Sequence, residues 1–298
     1  MTVGAALEQA SGRLADAGIP TARLDAELLL RYVTGGDVAA LIVRSADPLP
    51  SEPLERFERL VAERARRRPL QHLTGLAHFW RHEFHVTPDV LIPRPETEHL
   101  VEAALDVLRS IERPVVADVG TGSGCIALSI AAERPDATVH AVDLSPAALA
   151  VARDNAARLG LQDRVRFHEG DLLQPLAEQR VDLVVSNPPY VGADEVEALA
   201  PEVRDHDPRA ALVPPGGDRF SIYRRLAGEA RKSLVTGGVI LVEIGQGMDA
   251  KVASILQAAG LTVERVIPDL QGIPRVVQAT APAQAGEPAP GPVASRFA

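Results

Sequence analysis

Stretches typical of β-strands alternate with helical stretches from about residue 113 to residue 280, and this alternation constrains the fold more than any other feature. Chains built in this way form a mainly parallel sheet with helices on both faces. The last two apolar stretches are joined only by LQGI, which is too short for a crossover, so we expect that pair to be antiparallel. The predicted strands are VVADVG, TVHAVDL, RVRFHEG, VDLVVSN, GVILVEI, TVERVIPD and PRVVQAT.

The sequence divides into four predicted regions. Residues 1–74 carry apolar residues at helical spacing, which predicts a small helical domain, and a substrate-binding role for this domain is a separate hypothesis. Residues 75–92 alternate in polarity, which indicates a β-hairpin linker. Residues 93–280 contain a helix that Pro95 opens, followed by the alternating strands and helices. Residues 281–298 are rich in Pro, Ala and Gly, so we expect a disordered tail.

Composition and charge limit the partners and the compartment. A net charge of −9 argues against a protein that mainly coats nucleic acid, because phosphate binding relies on clustered Lys and Arg, and it favours a protein partner. We find neither an apolar window long enough to span a membrane nor the pattern of a signal peptide. The single cysteine, Cys125, excludes an intramolecular disulfide. We therefore expect a cytoplasmic protein with no direct nucleic-acid or membrane partner.

A glycine-rich loop follows the first strand of the alternating region. Glycines at a strand-to-helix turn let a ligand approach the backbone closely. The spacing here is G-x-G-x-G with an aspartate before it, which resembles the loop that binds S-adenosylmethionine more than the G-x-G-x-x-G loop that binds NAD. The residues predicted to bind the cofactor in this loop are Gly120, Thr121, Gly122, Ser123 and Gly124.

Acidic residues stand at the ends of the next two predicted strands. Asp143 is placed to accept hydrogen bonds from ribose hydroxyls, a role that serves NAD and S-adenosylmethionine equally well. The third strand leads to Asp171 and Leu172. In methyltransferases an acid at this place commonly accepts from the adenine amino group, and the next residue covers the ring. That next residue is often aromatic, so we expect Leu172 to pack the adenine less well.

The cysteine and the clustered histidines do not predict additional chemistry. Cys125 stands at a helix start, but no nearby histidine offers a base, so a packing role is favoured over catalysis. In an alternating strand His78 and His82 share one face while His85 points to the other. We therefore favour a surface or packing role for these histidines and expect no metal.

The fourth strand ends in N-P-P-Y beside the first strand, where the strand order reverses and ligands bind in such sheets. A nitrogen conjugated to a carbonyl or a ring is a poor nucleophile because its lone pair is delocalised. The Asn187 side-chain oxygen and the Pro188 carbonyl can each accept one hydrogen of a target NH2 group, and Tyr190 can stack on it. The proton leaves readily after methyl transfer, so no dedicated base is required. The predicted catalytic residues are Asn187, Pro188, Pro189 and Tyr190.

Longer motifs make the resemblance specific. From about residue 5 to residue 280 the chain closely resembles the peptide chain release factor glutamine N5-methyltransferase family of class I S-adenosylmethionine-dependent methyltransferases. N-P-P-Y alone is shared with adenine methyltransferases, whereas LIPRPETE (Leu91–Glu98) and the later E-V-R-x-x-x-P-R-x-A-L are far more specific. Further matching stretches are DVGTGSGCIALSIA, AVDLSPAALAVARDNA and GGVILVEIGQG.

This resemblance implies an α/β fold, a seven-stranded Rossmann-like class I methyltransferase sheet behind the small helical domain. It implies methylation of the glutamine amide in the Gly-Gly-Gln motif of class I release factors, with S-adenosylmethionine as the methyl donor. By the same resemblance Asn187 would contact both the cofactor and the glutamine. Phe79 and Trp80 correspond to an aromatic part of the hairpin that either lines the glutamine pocket or forms the hairpin core.

Two other functions stay open from the sequence. A DNA or RNA adenine methyltransferase would share N-P-P-Y, but it would need a basic target-recognition region, which the acidic total and the helical N-terminal domain disfavour. A non-catalytic S-adenosylmethionine-binding module would not require an intact N-P-P-Y. An NAD dehydrogenase is excluded mainly by the spacing of the glycine loop.

Overall fold

A computed structural model describes residues 1–282, apart from the side chain of Val38. Nearly all of the tail predicted to be disordered, residues 281–298, lies outside the described residues. Two compact units are present: the first contains Met1–Leu76 and Ala198–Asp207, and the second contains the remaining described residues. Within the described residues, every helix is too short or too polar to cross a membrane.

The first unit is built from helices that pack around one apolar core. Leu14, Leu29, Leu30 and Phe57 are almost fully buried in this core. The longer helices follow the predicted helical spacing, whereas the two shortest are too brief to show a period and were not predicted. The helices before residue 76 are α1 (Val3–Asp16), α2 (Ala22–Thr34), α3 (Val38–Val43), α4 (Ser51–Ala65) and α5 (Leu70–Thr74).

A buried ion network ties residues 198–207 to the helices of this unit. The Arg64 guanidinium, at the end of α4, lies 2.7 Å from Asp25 Oδ2 through Nε and 3.0 Å from Glu202 Oε1 through Nη1. Arg67 Nη2 lies 2.8 Å from the other Glu202 oxygen. Buried ions need such paired, hydrogen-bonded surroundings. A segment that follows N-P-P-Y in sequence therefore belongs to the helical unit, which no local pattern predicted.

The second unit begins at Ala77, within a two-stranded sheet of β1 (Leu76–Phe79) and β2 (His82–His85), and continues through a 3-10 turn at Pro95–Thr97. Pro95 opens this turn as expected, and the α-helix itself begins at Glu98. The elements that follow in chain order are α6 (Glu98–Leu108), β3 (Val115–Val119), α7 (Cys125–Glu133), β4 (Thr138–Asp143), α8 (Pro146–Arg158), β5 (Val165–Glu169), β6 (Val181–Ser186), α9 (Pro201–Arg204, in the first unit), α10 (Arg209–Leu212), α11 (Ser221–Ser233), β7 (Leu234–Glu243), α12 (Asp249–Ala258), β8 (Thr262–Pro268) and β9 (Pro274–Thr280).

The main sheet has seven strands in the order β5-β4-β3-β6-β7-β9-β8. The five strands from β5 to β7 are parallel, and β9 is antiparallel to both of its neighbours. The predicted α/β fold class and the antiparallel final pair are confirmed. The central strands are apolar on both faces because helices cover both faces, which is why they read as continuous β-branched runs.

One polar side chain inside the second unit holds three segments together. Asn155, on α8, is 1% exposed. Its amide accepts from the His85 N–H at 2.6 Å and donates to the carbonyls of His85 and Ser123, both at 2.9 Å. All three hydrogen bonds of this amide are therefore made with backbone groups. The hairpin strand β2 and the glycine loop are thus fixed to the same helix.

Candidate active site

The carboxyl ends of β3, β4, β5 and β6 meet at one edge of the sheet and open onto a cavity of about 910 Å³. The cavity is large enough for a small-molecule ligand, since such sites commonly have volumes of ~300–1,000 Å³. Its walls come from the glycine loop, the ends of β4, β5 and β6, the loop around the Pro95–Thr97 turn, and residues between Pro208 and Gly217.

The glycine loop is folded tightly over the end of β4. The N–H groups of Gly120 and Thr121 both donate to the Val142 carbonyl, at 2.8 and 3.0 Å. Gly120, Gly122 and Gly124 all have positive φ, a conformation that side chains rarely tolerate. A Cβ at Gly124 would lie 3.0 Å from a side chain of α7, whereas Gly120 and Gly122 face open space. The third glycine therefore allows helix packing, and the first two leave room for a ligand against the backbone.

Asp118 lies beneath this loop and is fully buried. Its Oδ2 accepts from the Thr121 hydroxyl at 2.6 Å and from the Ala127 N–H at 3.1 Å, while Oδ1 has no hydrogen-bond partner among the described residues. Burial raises the pKa of the Asp118 carboxyl to about 7, against the two hydrogen bonds that lower it. Asp118 thus holds the glycine loop through two hydrogen bonds, although burial of its charged form is unfavourable.

Asp143 connects the glycine loop to the start of α8. Its Oδ2 accepts from the Gly122 N–H and its Oδ1 from the Ser145 N–H, both at 2.9 Å. Burial raises its pKa, and these hydrogen bonds oppose the shift. Each carboxylate oxygen keeps a second lone pair, so Asp143, which lines the cavity, can still accept from a ligand.

The end of β5 brings Asp171 and Leu172 to the cavity wall. Asp171 Oδ2 pairs with the Arg225 guanidinium, which leaves the other oxygen for a ligand. Leu172 has a φ of 50°, is only 8% exposed, and packs with the apolar core on this face of the sheet. Its side chain therefore offers the cavity only a small apolar area.

Asn187, Pro188 and Pro189 line the cavity, whereas Tyr190 does not. The Tyr190 ring packs against Gly245, where a Cβ would lie 3.1 Å from its Cδ2 atom. Burial raises the pKa of the Tyr190 phenol to about 12, so the phenol stays neutral near pH 7. The N-P-P part of the motif lines the same cavity as the glycine loop, whereas Tyr190 packs against the apolar core, and its stacking on a substrate stays a prediction.

The Asn187 side chain is held by Thr97, a contact that was not predicted from the sequence. Asn187 Nδ2 donates to Thr97 Oγ1 at 3.1 Å, and Thr97 is 2% exposed. This bond leaves the Asn187 side-chain oxygen to accept from a ligand. Thr97 belongs to the LIPRPETE motif. The motif was recognised in the sequence, but the hydrogen bond between Thr97 and Asn187 was not predicted.

Phe79 occupies the core and does not line the cavity. It is 1% exposed and makes an edge-to-face contact with Phe84, with ring centroids 6.1 Å apart. Of the two alternatives for Phe79, the structure favours hairpin core.

Cys125 lines the cavity but is 8% exposed, and burial raises the pKa of its thiol to about 12, which fits packing rather than nucleophilic catalysis.

Several cavity residues were missed because they lie outside the strand ends. Arg94 comes from the loop before α6, Arg225 from α11, and a further set from between Pro208 and Gly217. The Val191 N–H donates to the Leu212 carbonyl at 2.9 Å, which closes the base of the loop that carries this last set. Only the P-R-x-A-L part of the later motif pointed to this wall of the cavity.

Comparisons with known proteins find matches along most of the chain. Residues 5–75 match the PrmC N-terminal domain family, and residues 97–216 match the methyltransferase small domain family. A release factor glutamine methyltransferase from Cereibacter sphaeroides is 48% identical, with 95% of this chain and 100% of that protein aligned. One from Geobacter sulfurreducens is 43% identical over 93% of this chain and 95% of its own length.

Among solved structures, a methyltransferase from Pyrococcus furiosus superposes with a TM-score of 0.50 at 16% identity. The superposition covers 77% of this chain and 99% of that one. At this identity the likeness concerns the fold alone.

The buried Asp118 generates a prediction about stability and pH. Its folded-state pKa is raised from 3.8 to about 7, so its contribution to stability is present below the unfolded pKa and is lost as pH rises through 7. Asparagine can accept the same two hydrogen bonds without ionising. The free energy of unfolding of Asp118→Asn, relative to wild type, should therefore rise by about 3 kcal/mol between pH 5 and pH 8. Urea unfolding at several pH values measures this difference, and a difference independent of pH would contradict the assignment.

Proposed function

This chain belongs to the release factor glutamine methyltransferase family, and we propose that it methylates the side-chain amide nitrogen of a glutamine in peptide chain release factors, with S-adenosylmethionine as the methyl donor. As a member of this family it is a methyltransferase enzyme. The observation that carries the proposal is the Asn187 amide, whose nitrogen is held by Thr97 at 3.1 Å so that its oxygen is left to accept from the substrate.

The cavity suits S-adenosylmethionine on grounds of shape and chemistry. Gly120 and Gly122 leave open space against the backbone, and Asp143 retains acceptor capacity for hydroxyl groups. Leu144, an apolar side chain that is 65% exposed, lines the cavity and offers a surface for a flat ring. These residues and Asp171 would hold the cofactor. When bound, S-adenosylmethionine supplies an electrophilic methyl group on a sulfonium.

The residues of N-P-P act by orientation. A glutamine amide nitrogen attacks only if its lone pair is turned toward the carbon that accepts it, and resonance opposes that arrangement. The Asn187 side-chain oxygen and the Pro188 carbonyl can each accept one hydrogen of the amide, and the two prolines hold the backbone rigid. Acceptors placed in advance cost no reorganisation during the reaction, and the proton is lost to solvent afterwards.

A protein substrate requires binding energy beyond the glutamine. One side chain offers little surface, so the energy to orient it must come from other parts of the substrate. We assign this role to the helical unit, Met1–Leu76 with Ala198–Asp207. Residues 198–207 lie in the same loop as the cavity residues from Pro208 onward, and Glu202 is anchored by Arg64 and Arg67. The chain thus passes directly from the proposed gripping unit, at Asp207, to the segment of the second unit that begins at Pro208.

Asp143→Ala is expected to weaken cofactor binding. The change removes an acceptor for ribose hydroxyls and frees the Gly122 N–H. Hydrogen bonds to a charged group are worth about 1.5–3 kcal/mol, so affinity for S-adenosylhomocysteine should fall roughly 10- to 150-fold in calorimetry. Glu169→Ala is the matched control, since Glu169 ends the neighbouring strand and lies outside the cavity lining. Equal affinity of Asp143→Ala and wild type would remove Asp143 from the site.

Asn187→Ala is expected to act mostly on turnover. Loss of one preorganised contact costs about 2.7–4 kcal/mol in the transition state, which is on the order of 10²- to 10³-fold in rate. Single-turnover transfer of a labelled methyl group is measured with a release factor, its Gly-Gly-Gln glutamine→Ala variant, and adenine-containing DNA. We expect label only on the first acceptor. Transfer to the DNA would favour an adenine methyltransferase, and an unchanged rate for Asn187→Ala would refute the proposed role of the Asn187 side-chain oxygen as an acceptor.

Hydrogen exchange tests the role of the helical unit in the intact protein. With S-adenosylhomocysteine present, addition of a release factor should slow exchange of amides in α1, α2 and α4. A short Gly-Gly-Gln peptide should protect only the cavity segments. If the release factor protects the second unit alone, the helical unit does not grip the substrate.

A further inference from the structure

A hydrogen-bond chain continues from the Asn187 amide into the protein. Asn187 Nδ2 donates to Thr97 Oγ1 at 3.1 Å, and the Thr97 side chain is hydrogen-bonded to the Glu243 carboxyl group. Glu243 ends β7, which runs parallel to β6 with Val242 opposite Ser186. The sheet register therefore brings Glu243 alongside the strand end that carries Asn187.

The Glu243 carboxyl group is buried without full hydrogen bonding. Glu243 is 3% exposed, its Oε2 atom has no hydrogen-bond partner among the described residues, and burial raises its pKa to about 7. The Tyr223 hydroxyl donates to the main-chain oxygen of Glu243 at 2.7 Å, a bond that any residue would provide. A buried acid without full hydrogen bonding destabilises the folded state. The Glu243 side chain is attracted by the charges of Arg94 and Arg275, and it provides a hydrogen-bond acceptor for Thr97.

The direction of the hydrogen bonds explains why that acceptor matters. A threonine hydroxyl has one hydrogen to donate, and an ionised Glu243 carboxyl can only accept, so the Thr97–Glu243 hydrogen bond uses that hydrogen. The lone pairs of Thr97 Oγ1 are then left to accept, so they take the NH2 end of the Asn187 amide. Without an acceptor at residue 243, the Thr97 hydroxyl is free to donate to the Asn187 oxygen. The Asn187 NH2 would then face a substrate that also presents NH2, and two donors cannot pair.

We propose that Glu243 and Thr97 are positioning residues that fix which end of the Asn187 amide is presented to the substrate. The inference rests on the proposed function, because the substrate NH2 is what requires an acceptor. Both residues act through Asn187. Their loss should therefore lower turnover and leave the affinity for S-adenosylhomocysteine almost unchanged.

Substitutions at Thr97 separate the hydroxyl from the space it fills. Thr97→Val keeps the shape and removes the hydroxyl, and we expect a fall in kcat of about 10- to 100-fold with the dissociation constant for S-adenosylhomocysteine within about threefold. Thr97→Ser keeps the hydroxyl and should retain kcat within about threefold. Ser129→Ala removes another buried hydroxyl, on α7 outside the cavity lining, and should leave kcat unchanged.

Substitutions at Glu243 independently test the other end of the hydrogen-bond chain that runs from Asn187 through Thr97. Glu243→Gln keeps an oxygen acceptor for Thr97 and should retain most of the turnover. Glu243→Met has a similar length without a strong acceptor and should show the same loss of kcat as Thr97→Val. Equal activity of the Met and Gln variants would overturn the role of Glu243, whichever way Thr97→Val behaves.

The decisive comparison introduces Thr97→Val into Asn187→Ala and measures single-turnover rates. If Thr97 acts only through Asn187, the second change should alter the rate by less than about twofold, since interacting residues are not additive. A further tenfold loss would show an independent role and overturn the inference. If wild type methylates no release factor, the proposed function itself fails. If wild type is active and Thr97→Val is equally active, only this inference fails.

Discussion

The parallel pairing of β3 with β4 on one side and with β6 on the other determines where the site forms. It places the glycine loop after β3, Asp143 after β4 and Asn187 after β6 at one edge of the sheet. Residues far apart in sequence meet there because parallel strands end on the same side. The cavity is a consequence of this strand order, and the loops supply its specific groups.

Two buried acids, Asp118 and Glu243, reduce the stability of the folded state but hold groups of the site in place. Asp118 holds the glycine loop, and Glu243 is hydrogen-bonded to Thr97 behind the Asn187 amide. Burial raises the pKa of each to about 7, and each keeps one oxygen without a hydrogen-bond partner among the described residues. Strained or poorly solvated groups of this kind persist where the surrounding structure holds them in place. In a reaction that depends on orientation, a rigid acceptor is worth more than a mobile one.

The features that could be predicted from the sequence are those that neighbouring residues determine. The seven strands, the antiparallel end of the sheet and the glycine loop follow from apolar patterning and turn residues. Thr97 could not be assigned to Asn187, because that hydrogen bond joins residues 90 positions apart. Residues 198–207 belong to the helical unit through the ion pairs of Glu202, which leave no periodic signature. Alternation in the hairpin likewise did not show whether Phe79 faces the core or a ligand, and it faces the core.

A crystal structure of the protein with S-adenosylhomocysteine and a release factor that carries the Gly-Gly-Gln loop would show directly how the Asn187 amide meets its substrate. We predict the glutamine amide nitrogen within hydrogen-bond distance, about 2.7–3.2 Å, of both the Asn187 side-chain oxygen and the Pro188 carbonyl oxygen. The nitrogen of the Asn187 amide should remain on Thr97. A glutamine bound elsewhere, or an Asn187 amide that donates to the substrate, would contradict the proposed role of Asn187.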